Sequence, residues 1–278
     1  MAYDLDAARI TSLPDDAFYI PNFISEEEEQ ILLQKLLHSR THQPNAPPST
    51  NLHDSTSQLT THLQISSAPS PRWTHLTHRR LQTWPSALTK TNTLLSSALP
   101  SWLTTPIIEP RFKQLGIFAD APHGAPNHVL INEYKPGQGI MPHEDGPAYY
   151  PLVATVSLGA GIVLDFYGKD AEEENTPTSK GEPESELEYL RVPRFRVLQE
   201  RRSLLVTRGK MYTDFLHGIA ERVVDGDLGP ETVCNWGLLG EKDGFLGGSF
   251  ERMTRTSLTY RDVLKVAKVG NTLKFLGR

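Results

Sequence analysis

The spacing of apolar residues changes once along this chain, near residue 128. Before that point the apolar runs are short and separated. Residues 17–24 (AFYIPNFI) read as a short strand or extended arm. Ser25 stands three positions before Glu28, the spacing of a reciprocal helix cap. Ile31, Leu32, Leu36 and Leu37 then supply the apolar face of a helix expected to end near Ser39. Residues 40–70 are rich in Ser, Thr, Pro, Asn and His without an apolar period, and a long flexible loop is predicted there. The stretch 71–85, PRWTHLTHRRLQTWP, combines two tryptophans, three arginines and two histidines. Residues 86–103 read as a helix ending at Leu99-Pro100, followed by a turn at Trp102. With Pro106, Pro110, Pro122 and Pro126, residues 104–127 are mostly connection.

From residue 128 onward the period is that of strands. VLINEY, VATVSL and IVLDFY are short runs of β-branched and aromatic residues divided by Gly and Pro. SLLVTRG (203–209), MYTDFLHGI (211–219) and RTSLTYRDV (255–263) continue the series. Between them, residues 169–189 hold eight acids from Asp170 to Glu188, a solvated insertion with almost nothing to bury. The pattern predicts a mainly β fold with an N-terminal α section, a β-sandwich or jelly roll with helices packed on it. No internal repeat interrupts it. A single domain over residues 1–278 is expected, with an N-terminal helical part to residue 127 and a β core from 128.

Composition narrows the setting. A net charge of −5 and a pI near 6.1 argue against bulk electrostatic capture of nucleic acid, while leaving room for a local basic groove. One cysteine, Cys234, excludes an internal disulfide framework and suits a reducing compartment. The first residues, MAYDLDAARI, have neither a basic nor an apolar leader segment, and no run reaches the length of a membrane span. A soluble intracellular monomer, without membrane attachment, is the expectation.

The candidate chemistry centres on His143-Glu144-Asp145, set between Pro136-Gly137 and Gly146-Pro147. On extended backbone an imidazole and a carboxylate two positions apart point the same way. One further imidazole would complete the facial two-histidine, one-carboxylate set that binds Fe(II) with open positions. Of the ten histidines, His217 alone follows the pair, in DFLHGI, where flanking apolar residues place it at a strand end. A zinc site of the cupin kind uses the same residue types, and a hydrogen-bonded core histidine remains open for His217. Arg255 and Arg261 lie six apart on one face of an extended strand. Facing inward they require an anion, and a dicarboxylic keto acid fits two such forks; facing outward they are ordinary edge-strand arginines.

Together these parts resemble the AlkB family of Fe(II)/2-oxoglutarate-dependent dioxygenases. The resemblance rests on Asn132-Glu133-Tyr134, Gly137, His143-Glu144-Asp145, His217 and Arg255-Thr256-Ser257-Leu258-Thr259-Tyr260-Arg261, in that order, and extends over most of the chain. It implies a double-stranded β-helix with Fe(II) on His143, Asp145 and His217. It implies 2-oxoglutarate as cosubstrate, its far carboxylate on Arg255 and Tyr134, with Asn132 and Arg261 near its metal-proximal end and Ser257 also among the residues that bind it, and O2 as oxidant. It further implies oxidative N-demethylation of RNA or single-stranded DNA beneath an N-terminal substrate lid, in nucleus and cytoplasm.

For the substrate, Trp73 falls where the family carries a base-stacking aromatic, with Arg72, Arg79 and Arg80 beside it to meet phosphates. Tyr149 and Tyr150 follow the ligand pair closely. Core packing is the alternative for Trp73 and Trp84, and for the tyrosines one facing in and one out. Gly146-Pro147 departs from family members that place acids after H-x-D to contact a cationic base. A protein or small-molecule substrate, or a non-catalytic RNA-binding role, therefore stay open beside nucleic acid demethylation.

Overall fold

The computed structural model describes residues 4–14, 16–38, 73–169 and 192–268. In chain order its elements are β1 (Ala17–Ile20), α1 (Glu26–His38), β2 (Thr74–Leu76), β3 (Arg79–Trp84), β4 (Thr93–Ser96), α2 (Ser101–Thr104), β5 (His128–Tyr134), β6 (Ile140–His143) and β7 (Leu152–Leu158). They continue with β8 (Ile162–Gly168), β9 (Phe195–Gln199), β10 (Leu204–Arg208), α3 (Lys210–Thr213), β11 (Phe215–Ile219), β12 (Val224–Gly226), β13 (Ser249–Glu251), β14 (Arg255–Arg261) and β15 (Lys265–Lys268). The predicted loop 40–70, Arg72 and all of the acidic insertion except Lys169 lie outside the described residues.

A larger sheet has the order β1-β10-β7-β14-β5-β3-β2 and a smaller one β6-β11-β8-β9, with β12–β13 and β4–β15 as separate pairs. From β5 to β8 the chain alternates between the two sheets at every strand; β9 stays in the smaller sheet, then β10, β11 and β14 alternate again. The neighbours within both sheets are antiparallel. This is the predicted jelly-roll core, and β1, β2 and β3 of the N-terminal part extend its larger sheet.

The two-residue period of β14 explains how the core and the cavity divide. Leu258 and Tyr260 point to the outer face, where they join Val129, Ile131, Ala154 and Val156 under the N-terminal layer. Tyr260 Oη donates to the Leu103 carbonyl at 3.0 Å, and its ring meets Phe112 edge-on at 5.2 Å between centroids. Arg255, Ser257, Thr259 and Arg261 face the space between the sheets.

Helix α1 opens with the expected cap: Ser25 N donates to Glu28 Oε2 at 2.8 Å and Glu28 N to Ser25 Oγ at 3.2 Å. Its buried face differs from the predicted one. Leu32 and Leu36 are buried, but Ile31 and Leu37 are exposed, and Glu29 turns inward at 1% exposure. Glu29 accepts from Gly159 N at 2.8 Å and pairs with Arg201, tying the helix to the β7–β8 turn and the segment before β10.

Residues 86–103 do not form the predicted helix. Thr89 and Thr93 close a turn, with Thr93 N donating to Thr89 Oγ1 at 3.1 Å and Asn92 in the left-handed region at φ 57°. Threonine side chains that satisfy nearby backbone groups compete with helix, and the chain passes into β4, parallel to β15. The strand expected over 211–219 starts only at Phe215. Gly209, at φ 54°, turns the chain into α3 first, and Thr213 Oγ1 donates back to its carbonyl at 3.2 Å. Residues 71–85, given no element from sequence, contain the β2–β3 hairpin. No helix among the described residues is long and apolar enough to cross a membrane.

His128, at the start of β5, is 1% exposed, with Nε2 3.2 Å from the Ser86 carbonyl and Nδ1 unpartnered. Burial, reinforced by Arg261, pulls its imidazole down to about 4. The unfolded chain takes up this proton near pH ~6.5, so the stability held above that pH is lost as pH falls toward 4, by about 2 kcal/mol at pH 5. Denaturant unfolding of metal-free protein at pH 7 and pH 5 checks this. His128→Asn should shrink the stability difference between the two pH values by roughly that amount; an unchanged difference rejects the assignment.

Candidate metal centre and its cavity

Close backbone contact brings the two histidines together. A Cβ on Gly139 would lie 2.2 Å from the Ile219 carbonyl oxygen, so only glycine lets the start of β6 approach the end of β11. The β12–β13 pair secures that end of β11: Arg252, just past β13, donates to both Asp225 oxygens at 2.7 Å and to the Ala220 carbonyl at 2.7 Å. His143 and His217 become direct cross-strand partners, with ring centroids 4.4 Å apart.

Asp145 lies two residues beyond β6. One ligand atom from each of His143, Asp145 and His217 falls within 4.8 Å of the others. His143 Nδ1 is 2.9 Å from the Met141 carbonyl, which fixes the proton there and leaves Nε2 as the lone-pair donor. Burial pulls the His217 imidazole down to about 4, against the pull of Asp145, so it too offers a neutral nitrogen. Two imidazoles and one carboxylate converging, with no fourth such ligand among the described residues, are the donor set of an open non-haem Fe(II) site.

The cluster opens on a cavity of about 240 Å³ between the sheets. Arg255 is 2% exposed; its Nε donates to Ser157 Oγ and its Nη2 to Gln199 Oε1, both at 3.0 Å. Burial lowers it to about 10, still charged at neutral pH, and no carboxylate pairs with it among the described residues. Tyr134 is its cross-strand partner, and burial raises that phenol, keeping it a protonated donor. Asn132 Oδ1 and Arg261 Nε are buried without partners. Arg261 Nη2 pairs with Asp145, and its guanidinium lies 4.8 Å from the centre of the Tyr149 ring. Burial opposes the Arg261 charge, but Asp145 and Tyr149 outweigh it and hold its pKa above the usual value. Ser257 lines the cavity between the two arginines.

The substrate set is divided by the sheet. Arg79 lines the cavity. Arg80, one residue on, points to the opposite face, where it donates to Glu133 Oε2 at 2.6 Å and lies over the Trp73 ring at 4.2 Å. Trp73 packs against the core on that face, and Trp84 packs there too, edge-on to Trp102 at 5.5 Å. The structure thus does not bring Trp73 and Arg80 to the metal cluster. Tyr149 faces Arg261, while Tyr150 packs on the core. Sequence reasoning missed Tyr212, Ser157 and Gln199. Tyr212 lines the cavity and its hydroxyl is 3.4 Å from the Gly146 carbonyl. Ser157 had a signal, a polar residue alternating with Val156 and Leu158; Gln199 had none.

The 2OG-Fe(II) oxygenase superfamily model matches residues 16–261. The chain is 36% identical over 279 aligned positions to a protein of Danio rerio named probable RNA/DNA demethylase ALKBH6, covering 99% of this chain and 96% of that one. It is 35% identical over 141 positions to the Xenopus tropicalis tRNA (carboxymethyluridine(34)-5-O)-methyltransferase alkbh8, covering 50% of this chain and 18% of that protein. Among solved structures, OsALKBH1 aligns over 90% of this chain and 98% of its own at 13% identity, with a TM-score of 0.49. The chain belongs to the 2OG-Fe(II) oxygenase superfamily, oxidoreductases that use Fe(II), 2-oxoglutarate and O2.

Proposed function

We propose that this protein removes N-methyl groups from alkylated nucleic acid, RNA or single-stranded DNA, by Fe(II)- and 2-oxoglutarate-dependent oxidation. One observation carries the reading: a two-histidine, one-carboxylate cluster faces a buried guanidinium whose hydrogen-bond partners among the described residues are neutral. The substrate class rests on the near full-length relative from Danio rerio, named a probable RNA/DNA demethylase.

In this reading His143, Asp145 and His217 hold the metal. Arg255 and Tyr134 bind the far carboxylate of 2-oxoglutarate, and Asn132, Ser257 and Arg261 line its metal-proximal end. With iron, keto acid and dioxygen bound, the centre supplies an oxidant for a nearby C–H bond. Arg261 holds Asp145 in place, and the His143–Met141 contact holds one imidazole in its ligating tautomer. The apolar wall of Leu164, Phe166, Ile140 and Ile219 limits water around the reacting atoms. A hydroxylated N-methyl group breaks down to formaldehyde and free amine by itself, so no dedicated acid–base pair is required of the protein. The target base leaves its stack to reach the metal. Part of the N-terminal section serves as the lid over the β core within one catalytic domain, with Tyr149 toward the substrate. We place this activity in the nucleus and cytoplasm, carried out by a monomer.

Purified protein with Fe(II) and ascorbate should convert 2-oxoglutarate to succinate, and His143→Ala should reduce this to the no-enzyme background. Equal rates in both would reject the iron-oxygenase reading. Arg255→Gln should raise the KM for 2-oxoglutarate about tenfold or more, the effect of losing a charge-assisted contact, while changing kcat less. Methylated single-stranded oligonucleotides should release formaldehyde in step with succinate. If succinate forms but no methylated RNA or DNA in the panel yields formaldehyde, the oxygenase assignment stands and the nucleic acid substrate does not.

A further inference from the structure

Two of the three cavity arginines have roles in the reading above, and Arg79 does not. Its position follows from strand register. β3 lies beside β5 with Arg80 opposite Glu133, and β14 lies on the other side with Arg255 opposite Tyr134. One step along β3 and β5 sets Arg79 level with Tyr134. Arg79, Tyr134 and Arg255 therefore form a row across three adjacent strands, at about 4.8 Å per strand. Alternation sends Arg80 outward to Glu133 and Trp73, and sends Arg79 into the cavity.

Arg79 has a buried Nε without a partner, and no carboxylate pairs with it among the described residues. Its charge reaches the Tyr134 phenol, as that of Arg255 does. Two guanidinium groups thus flank one protonated phenol with no carboxylate between them among the described residues. Placing such charges together is costly unless a ligand anion joins them. An inward arginine on a strand whose one other charge, Arg80, points outward is explained by such a ligand.

Taking the cavity as a 2-oxoglutarate site, the reading on which this step rests, we propose that Arg79 is a second guanidinium for the distal carboxylate. It closes on that group from the side of Tyr134 opposite Arg255. Arg79 thereby sets the preference for dicarboxylic over monocarboxylic keto acids.

The test is anaerobic calorimetric titration of the Mn(II)-loaded full chain with 2-oxoglutarate and with 2-oxobutyrate, which keeps the chelating end and lacks the distal carboxylate. Arg79→Gln should weaken 2-oxoglutarate about tenfold, the loss of one charge-assisted contact, and leave 2-oxobutyrate unchanged. Arg79→Lys should fall between, and it supplies the same comparison if the glutamine variant does not fold. Equal 2-oxoglutarate affinity in wild type and variants overturns the proposal. So does equal weakening of both ligands, which marks a general structural role. Failure of wild type to bind 2-oxoglutarate is a separate result that removes the cosubstrate site itself, and this assignment with it.

Discussion

A guanidinium held away from water must find an anion or weaken the fold around it, and the arrangement of β14 turns on that constraint. The strand sits at the centre of the larger sheet, paired on both sides, and every one of its residues is buried. One face carries Leu258 and Tyr260 into the main core; the other carries Arg255 and Arg261 into the cavity. The same backbone thus anchors the fold and positions the charges. Arg261 finds its anion in Asp145. Among the described residues Arg255 finds a serine hydroxyl and a glutamine oxygen, which leave its charge unbalanced. The apolar packing on the outer face stabilises a strand whose inner face is electrostatically incomplete.

The metal cluster depends on the smaller sheet, where the register is set by close approach. Without a Cβ at residue 139, β6 and β11 come near enough for His143 and His217 to sit opposite one another. Asp145 then comes from the chain just past β6, turned by Gly146 at φ 83°. Ligands on one sheet and arginines on the other meet because Arg261 bridges the gap to Asp145. That ion pair joins the metal end of the site to the anion end, and it fixes the carboxylate without using a metal.

Much of this was legible from the chain alone, for identifiable reasons. The strands from residue 128 onward show themselves because β-branched residues alternate on a sheet with two buried faces. The ligand pair, His217 and the arginines of β14 were legible as residue types in an order that the topology later brought together. The β2–β3 hairpin was not, because RRLQTW has no apolar alternation: its stability comes from Arg80–Glu133 and from the register with β5. Residues 86–103 misled for the opposite reason, since leucines at helical spacing were outweighed by a threonine turn that satisfies its own backbone. For Trp73, Arg79 and Arg80, closeness in sequence grouped the residues but could not show which face each would take. A shift of one position separates cavity from outer core.

Charge within the cavity gives the same result from another direction. Arg79, Arg255 and Arg261 line it. Against them stands Asp145, while Glu144 is engaged by Lys169 at 2.9 Å. Among the described residues, three cations facing one carboxylate leave an excess of two positive charges, before any metal is considered. A divalent cation raises that excess, and its two neutral imidazole ligands do nothing to lower it. A dianionic cosubstrate offsets much of it, with one carboxylate at each end of the cavity where unpaired donors already lie. A monocarboxylate leaves the row of Arg79, Tyr134 and Arg255 facing no anion at all. The charges of the cavity's described residues therefore favour a ligand with two separated negative charges, and the placement of Arg79 on β3 strengthens that preference at the end far from the metal.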